Sequence, residues 1–424
     1  MQHIGNLTII ALVILNIVVW LVFPPVYDGD PNFLRKYAGE VIGSNNIVLM
    51  ACSLFLATRP KWAEKYFGGL DKMYITHRHT GTAALLLIFV HVLTVPISTT
   101  GWRLGNYLAV ISFAGIVSIV LITLAPRIPF LNRLAGADYE DWKKLKRWIG
   151  IFFILGFFHS LTVDALDART AITWTMIFFI IGTVSYLYTE VFSGIFKKSL
   201  PYKVEAVEHP NNSSTEVTLR PKKEPIKKQR AGQFLFVRFP SDKALNQSHP
   251  FTISSAPAED VLRLTIKASG NFTRDLFAKL KEGADAVIEG AYGMFDYKTG
   301  GAKQIWIAGG IGVTPFLSFI RDMNGSLTHD IDFYYTVRHP EEALFLDEIK
   351  AADERNPRLK THIRFSATEG SLTIDHILKS TSGNIRDYHV YLCGPLPMIQ
   401  AFEQKFLALG LPKRQIHFEE FNFR

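Results

Sequence analysis

Ile305-Trp306-Ile307-Ala308-Gly309-Gly310-Ile311-Gly312-Val313-Thr314-Pro315 decides how the C-terminal part of this chain is read. An apolar, strand-like run enters three glycines, then Thr-Pro, then a further apolar stretch. Glycine lets a backbone turn tightly and lets another molecule come close to it, and Pro315 suits the first turn of a helix. A helix starting there offers free N–H groups and the positive end of its dipole to a pyrophosphate. The spacing is not G-x-G-x-x-G, so a plain strand-to-helix turn would read the same way in isolation. Around it, Gln304–Ala308 and Ile331–Thr336 read as apolar strands, with helical pattern following at Pro315–Met323 and Glu341–Ala352. That alternation predicts a parallel α/β sheet over residues 302–424.

Residues 196–301 have a different pattern. Short alternating strands such as Glu216–Leu219, Phe234–Phe239 and Leu262–Ala268, separated by turn residues, predict a small antiparallel β-barrel. The Lys- and Pro-rich stretch 221–230 reads as one of its loops. Three further motifs carry chemistry. In His249-Pro250-Phe251-Thr252-Ile253-Ser254-Ser255 an aromatic is flanked by hydroxyls, and such a group can stack on a planar ring and hydrogen-bond its edge. Cys393-Gly394-Pro395 follows the strand Tyr388–Leu392, although Cys393 alone reads as a small buried residue. The chain ends at Glu419-Glu420-Phe421-Asn422-Phe423-Arg424, where Phe421 can cover a ring face or merely dock a tail.

Together and in this order, the four motifs resemble the ferredoxin–NADP reductase superfamily, and the His-Pro-Phe-Thr version is similar to its NADPH oxidase and ferric reductase branch. The resemblance extends to Gly270-Asn271-Phe272-Thr273 and Gly290-Ala291-Tyr292-Gly293. It implies an FAD-binding barrel followed by an NAD(P)H-binding domain. Phe251 and Pro250 would then lie at the isoalloxazine and Thr252 near its N5. His249, Ser255, Lys267, Asn271, Phe272 and Thr273 would serve the rest of FAD. Gly309, Gly310, Gly312, Thr314 and Pro315 would take the nicotinamide nucleotide, with Cys393, Gly394 and Pro395 beside the nicotinamide and Phe421 on the second flavin face. Arg338 follows the strand Asp332–Thr336, where a guanidinium suits an adenosine 2′-phosphate, and this favours NADPH over NADH. A surface arginine pairing with Glu341 or Glu342 is the plainer alternative.

Residues 1–195 are unlike the rest. In a chain of 424 residues with room for two or three domains, they hold long apolar runs and few charges. The net charge of +8 is thus a matter of location and is no footprint of nucleic-acid binding. Two distant cysteines, Cys52 and Cys393, exclude a disulfide framework or a CxxC metal site. Apolar stretches near 6–24, 41–58, 77–97, 104–125, 147–166 and 171–193 each approach the roughly 20 residues that span a bilayer. The first lacks the basic start and small-residue cleavage site of a signal peptide. Lys and Arg crowd the second-to-third connection (Arg59, Lys61, Lys65, Lys72) and the fourth-to-fifth (Arg127, Arg133, Lys143, Lys144, Lys146, Arg147). The other connections carry few, so the expectation is a multi-pass plasma-membrane protein with both termini cytoplasmic.

Ionisable residues inside such spans are costly and usually functional. The third span carries His77 and His91, and the fifth carries His159. The third and fifth spans run the same way, so His91 and His159 lie at similar depth and can face each other as an axial pair for haem b. A hydrogen bond from His159 to a neighbouring helix is the plainer alternative. His77 lies about 21 Å from His91 along an ideal helix, a separation suited to a second haem. The resemblance extends here as well, since the family's six-helix haem domain places two His on each of these helices. This chain departs from it: the fourth position holds Lys146. Either Lys146 ligates, or His77 binds an inner haem without a second strong ligand, or one haem is present and FAD reaches into the inner leaflet.

The expected whole is a six-helix transmembrane haem-binding bundle (1–195), an FAD-binding β-barrel (196–301) and an NAD(P)H-binding α/β domain (302–424). It implies an oxidoreductase passing electrons from NADPH through FAD and haem b to an outer-face acceptor. Dioxygen giving superoxide is favoured, with a ferric or cupric chelate, a quinone or a protein partner as alternatives. A membrane-tethered flavin reductase, whose helices only anchor it or bind a partner, is the competing class.

Overall fold

The computed structural model describes residues 4–97, 101–124, 145, 147–163, 166–192, 199–323 and 328–419. The chain divides into two compact units, Met1–Phe196 and Lys197–Arg424.

Among the described residues the first unit is helical: α1 (Ile4–Val22), α2 (Phe33–Ala57), α3 (Leu70–Thr94), α4 (Leu104–Leu124), α5 (Ile149–Thr162) and α6 (Arg169–Leu187). Helices α2 and α3 start earlier than apolar runs suggest, because Arg35, Lys36, Asp71 and Lys72 lower hydropathy without interrupting helical geometry. Among the described residues, four stretches are long and apolar enough to cross a membrane by length and composition: Ile4–Val22, Phe33–Ala57, Leu104–Ile122 and Arg169–Phe192. Helix α5, at 14 residues among those described, is apolar but shorter. Large apolar side chains such as Leu7, Ile14, Leu21, Leu93, Val110 and Val184 face outward, while Asn16, Ser44, Asn45 and Ser112 are buried. The outer face is thus as apolar as the core, which holds Trp20, Val48, Leu49 and Phe178, and large exposed apolar surface of this kind is unusual in a water-soluble bundle. The inner polar groups bond one another or the main chain: Asn16 Nδ2 donates to Ser44 Oγ at 2.9 Å, and Asn45 Nδ2 to the Val41 carbonyl at 2.8 Å. Helix α2 packs on α3 and α6, and α4 packs on α5. Gly105 makes the last contact close, since a Cβ there would lie 2.6 Å from the Val163 nitrogen.

The second unit holds two sheets. In the first, strands β1 (Leu200–Asn211), β2 (Ser214–Pro221), β3 (Phe234–Arg238), β4 (His249–Thr252), β5 (Leu262–Lys267) and β6 (Asp285–Tyr292) are ordered β4-β3-β6-β1-β2-β5. Every pairing within it is antiparallel, and a bridge between Ile253 and Leu264 joins the chain just after β4 to β5, closing the barrel. Val217, Leu219, Leu235, Val237, Leu264 and Ile288 alternate inward to form its core. Helix α7 (Asn271–Lys279) follows β5.

The second sheet is parallel: β7 (Lys303–Gly309), β8 (Asp330–Val337), β9 (Leu359–Phe365), β10 (Tyr388–Cys393) and β11 (Ile416–Glu419), ordered β11-β10-β7-β8-β9. Helices α8 (Thr314–Asp322), α9 (Leu346–Arg355) and α10 (Leu396–Ala408) follow β7, β8 and β10. Trp306, Phe316, Phe319 and Phe333 are fully buried between β7, β8 and α8, each contributing about 2–3 kcal/mol of apolar burial. Helix α9 starts at Leu346, later than the helical pattern at Glu341 suggests. Pro340–Glu342 forms a separate 3-10 turn, and Phe345 takes a left-handed conformation with φ of +55° before the helix begins. The order of strands reverses between β7 and β10, the place where open α/β sheets bind ligands.

Candidate functional site

The glycine-rich turn sits at that reversal. Gly309 ends β7 beside Cys393, which ends β10 and pairs with Ala308. Gly310 has φ of +56°, which a side chain rarely adopts, and a Cβ at Gly312 would lie 2.3 Å from the Cys393 carbonyl oxygen. The backbone of 309–312 is therefore pressed onto Cys393-Gly394. Thr314 opens α8 with Pro315 in its first turn, and the Thr314 hydroxyl donates to the Ile311 carbonyl at 3.1 Å. Cys393 is fully buried in the core, and burial, then the neighbouring Glu419 charge, hold its thiol well above the ordinary range. It packs in the core beside the turn. Arg338 lies just beyond β8, exposed. Glu342, one of its candidate partners, is 3.5 Å from Lys267 instead.

On the barrel, β4 carries the second motif. Thr252 is 4% exposed, yet its Oγ1 is buried with no hydrogen-bond partner among the described residues. A buried hydroxyl without a partner is unfavourable by about 1–3 kcal/mol, so it fits a group that a ligand would complete. Phe251 and Pro250 beside it are half-buried. The His249 ring stacks on Phe272 at 3.9 Å, and Phe251 lies nearly parallel to Phe272 at 6.3 Å. Together these rings make an aromatic platform at the strand that also carries the orphaned hydroxyl.

The other residues of the motifs hold the frame. Thr273 Oγ1 accepts from the Gly270 and Ser269 amides, capping α7. Asn271 accepts from Arg274 at 3.0 Å, and Lys267 is held by Glu342. Ser255 is fully buried, with its hydroxyl accepting from the Arg263 amide at 3.1 Å. The start of α7 keeps free main-chain amides that suit a phosphate. Phe421 and Lys146 lie outside the described residues. An FAD and a nicotinamide nucleotide fit this donor set: a planar platform with an unsatisfied hydroxyl, and a glycine turn at a helix start.

Motif reading missed the residues that join the barrel to the α/β sheet. Ser318 and Arg321 on α8, and Glu216 on β2, are buried there. The signal was weak: Glu216 is one of several polar residues in β2, with Ser214, Thr215, Thr218 and Arg220, and only the fold shows that its carboxylate is buried against a cation.

In the helical unit, the His91 and His159 rings lie 6.3 Å apart, centre to centre, with planes at 77°. His91 Nδ1 is 2.8 Å from the Gly39 carbonyl oxygen, and His159 Nδ1 is 2.9 Å from that of Gly105. A carbonyl only accepts, so each Nδ1 carries the proton and each Nε2 keeps its lone pair. A backbone bond at the far nitrogen is how ligating imidazoles are oriented. With metal–nitrogen bonds of about 2 Å, two imidazoles on opposite sides of one metal have centres roughly 6 Å apart, farther than at a tetrahedral angle. The donor set thus fits a haem iron. His77 Nδ1 is 2.9 Å from both the Ser53 carbonyl oxygen and the Ser53 hydroxyl, and His77 and Ser53 lie 14 residues from His91 and Gly39 respectively.

Residues 199–307 match a family model described as FAD-binding domain, and residues 306–404 match the oxidoreductase NAD-binding domain. The chain is 25% identical over 46% of its length to the ferredoxin reductase component of a 3-ketosteroid-9-alpha-monooxygenase from Rhodococcus rhodochrous. It is 29% identical over 43% of its length to the carnitine monooxygenase reductase subunit of Escherichia coli. It covers 56% of each relative, little more than half of their length. Among solved structures, a flavohemoglobin from Malassezia yamatoensis with bound FAD and haem superposes with a TM-score of 0.52, over 91% of this chain and 97% of that one. At 17% identity that likeness is one of fold. With their paired FAD-binding and NAD-binding domains, residues 199–404 place this chain in the ferredoxin–NADP reductase superfamily of oxidoreductases.

Proposed function

We propose that this chain is a plasma-membrane flavohaem oxidoreductase that draws electrons from NAD(P)H and delivers them to an acceptor at the outer face. When bound, FAD would take the hydride of NAD(P)H and haem b would pass electrons onward singly. The observation that carries the reading is the His91–His159 pair, 6.3 Å apart, in the same chain as an FAD- and NAD-binding module. Neutral imidazoles inside apolar helices are costly unless used, and here both Nδ1 protons are already engaged. The outward apolar faces suit a bilayer, and the basic connections set both termini on the cytoplasmic side.

The chain's own residues have separable roles. Gly309, Gly310 and Gly312 would hold the nucleotide backbone close, Thr252 would donate to or accept from the flavin edge, and His249, Phe251 and Phe272 would flank the ring system. Arg338 favours NADPH, since it makes no ion pair among the described residues and sits where β8 ends. One haem is assigned to His91 and His159. His77 would hold a second if the stoichiometry is two. The short connections at the outer face favour dioxygen as acceptor, giving superoxide, over ferric or cupric chelates and quinones.

A second reading has its own support. The relatives are named reductase components or subunits, so the chain could serve a partner oxygenase or ferredoxin, with its helices as an anchor. Purification with haem supplied, followed by measurement of haem per FAD, separates the two. Zero haem leaves the anchored reductase. One haem with superoxide-dismutase-sensitive cytochrome c reduction under NADPH supports the flavohaem enzyme, and haem reduction without superoxide shifts the acceptor to a metal chelate or quinone.

A further inference from the structure

Helix α8 begins at the glycine turn and carries Ser318 and Arg321, three residues apart and thus on one face. Ser318 Oγ donates to the Ser255 carbonyl at 2.8 Å and accepts from the Gly232 amide at 3.3 Å. Arg321 Nη1 donates to the Ser254 carbonyl at 3.0 Å. Its Nε and Nη2 grip both oxygens of Glu348 at 2.7 and 2.8 Å, and Nη1 is 3.6 Å from Glu216 Oε2. The Phe345 ring lies against the guanidinium at 5.1 Å. Two consecutive carbonyls, just after Phe251-Thr252, are therefore tied to the helix that follows directly on the Gly309–Val313 turn.

An apolar side chain could fill the Arg321 position with less desolvation, because buried ion pairs seldom stabilise more than well-packed hydrocarbon. What a guanidinium adds is a rigid planar fork whose donors meet several acceptors at fixed angles. At this join, fixed angles matter only if the distance between the two tied segments matters.

We infer that Ser318 and Arg321 are positioning residues for hydride transfer, setting the spacing between the Phe251-Thr252 segment and the Gly309–Thr314 turn. This rests on the reading of those segments as the flavin and nicotinamide sites. The step they position moves one hydride, two electrons with a proton, from the reduced nicotinamide to the flavin, so that NAD(P)H becomes NAD(P)+ and the flavin is reduced. Neither side chain touches the reacting atoms. Each acts through the carbonyl it holds.

The test uses the full-length protein loaded with FAD, unaltered and as Arg321→Met, Arg321→Lys and Ser318→Ala. Three quantities are read: FAD per chain with NADP+ affinity, the rate of flavin bleaching at saturating NADPH, and the long-wavelength absorbance of a nicotinamide stacked on the flavin. Misplacement on the ångström scale lowers such rates by about 10- to 100-fold. The expected result for Arg321→Met is a loss in that range with a weakened long-wavelength band, while FAD content and NADP+ affinity stay within about twofold. Ser318→Ala, which removes one tie of two, loses less, and Arg321→Lys falls between Met and the unaltered chain. The inference is overturned if FAD-loaded Arg321→Met and Ser318→Ala bleach at the unaltered rate. It is equally overturned if their rates fall only in step with lost FAD or NADP+ binding. Should Arg321→Met not fold, Ser318→Ala and Arg321→Lys decide by the same readings. If the unaltered, FAD-loaded chain is not bleached by NADPH or NADH, the site reading itself fails, and the inference with it.

Discussion

The two units of this chain satisfy their buried polar side chains in different ways. In the helical unit, neutral donors lean on main-chain carbonyls: His91 on Gly39, His159 on Gly105, Asn45 on Val41. In the second unit, charged groups meet inside the fold: the buried Arg321 side chain with buried Glu216 and with half-buried Glu348. The contrast follows from surroundings. A charge buried among apolar helices loses its hydration, so neutral groups with main-chain carbonyls as acceptors are the less costly choice. An imidazole held this way keeps one nitrogen free, which suits it to ligate. At the join of two sheets, a charged fork with several acceptors supplies orientation instead.

If that contrast is right, each unit should fail alone. His91→Leu removes the ligating nitrogen and its bond to Gly39 without stranding a charge. The expected outcome is complete loss of the haem absorbance assigned to the His91–His159 pair, with FAD content and NAD(P)H-dependent dye reduction unchanged. A retained haem spectrum would show that His91 is no ligand. Gly312→Val attacks the other unit. Its Cβ would lie 2.3 Å from the Cys393 oxygen and 2.7 Å from the Gly394 nitrogen, both main-chain atoms that cannot swing aside. Overpacking of this kind costs about 1–3 kcal/mol, and displacing the turn should lower NADPH-dependent flavin bleaching by about 10-fold or more. Haem content should not change. Stopped-flow bleaching and haem absorbance on one preparation check both parts.

Much of this was legible in the sequence, and the reasons are local. The glycine turn and the strand pattern of β2 and β3 depend on near neighbours, so motif and period expose them, whereas the capping of α7 by Thr273 did not enter that reading. The facing of His91 and His159 came from helix direction and depth alone. Three things were not legible. Helix α9 begins five residues after Glu341 because Phe345 takes φ of +55°, a conformation that no composition signals. The acceptors at Gly39 and Gly105 lie 52 and 54 residues from their imidazoles, and only packing brings them there. The tie between Arg321 and Ser254 spans 67 residues and joins two sheets, each of which looks complete in its own pattern.

A smaller effect tests selectivity in the second unit. Arg338 is exposed beyond β8 with no ion pair among the described residues, so its guanidinium is available to a phosphate. Arg338→Ala should raise KM for NADPH about tenfold, the cost of one charged contact, and leave KM for NADH and kcat with either nucleotide unchanged. Equal changes for both nucleotides would move the 2′-phosphate site elsewhere.

The smallest expected effect is the most discriminating, because it differs in sign between two states of one protein. Thr252 buries a hydroxyl whose oxygen finds no partner among the described residues. Valine has nearly the same shape without that hydroxyl. If the hydroxyl serves only the protein, Thr252→Val costs stability whether or not FAD is present. If it is kept for the flavin edge, the FAD-free variant should be at least as stable as the unaltered chain, since an unsatisfied buried group is about 1–3 kcal/mol unfavourable. The FAD-loaded form should then lose one hydrogen bond, weakening FAD affinity by about 3- to 10-fold for a contribution near 1 kcal/mol. Thermal unfolding with and without FAD, together with FAD titration by flavin fluorescence, reads both signs. Destabilisation of the FAD-free variant would place the hydroxyl in the protein's own hydrogen bonding and remove it from the flavin site.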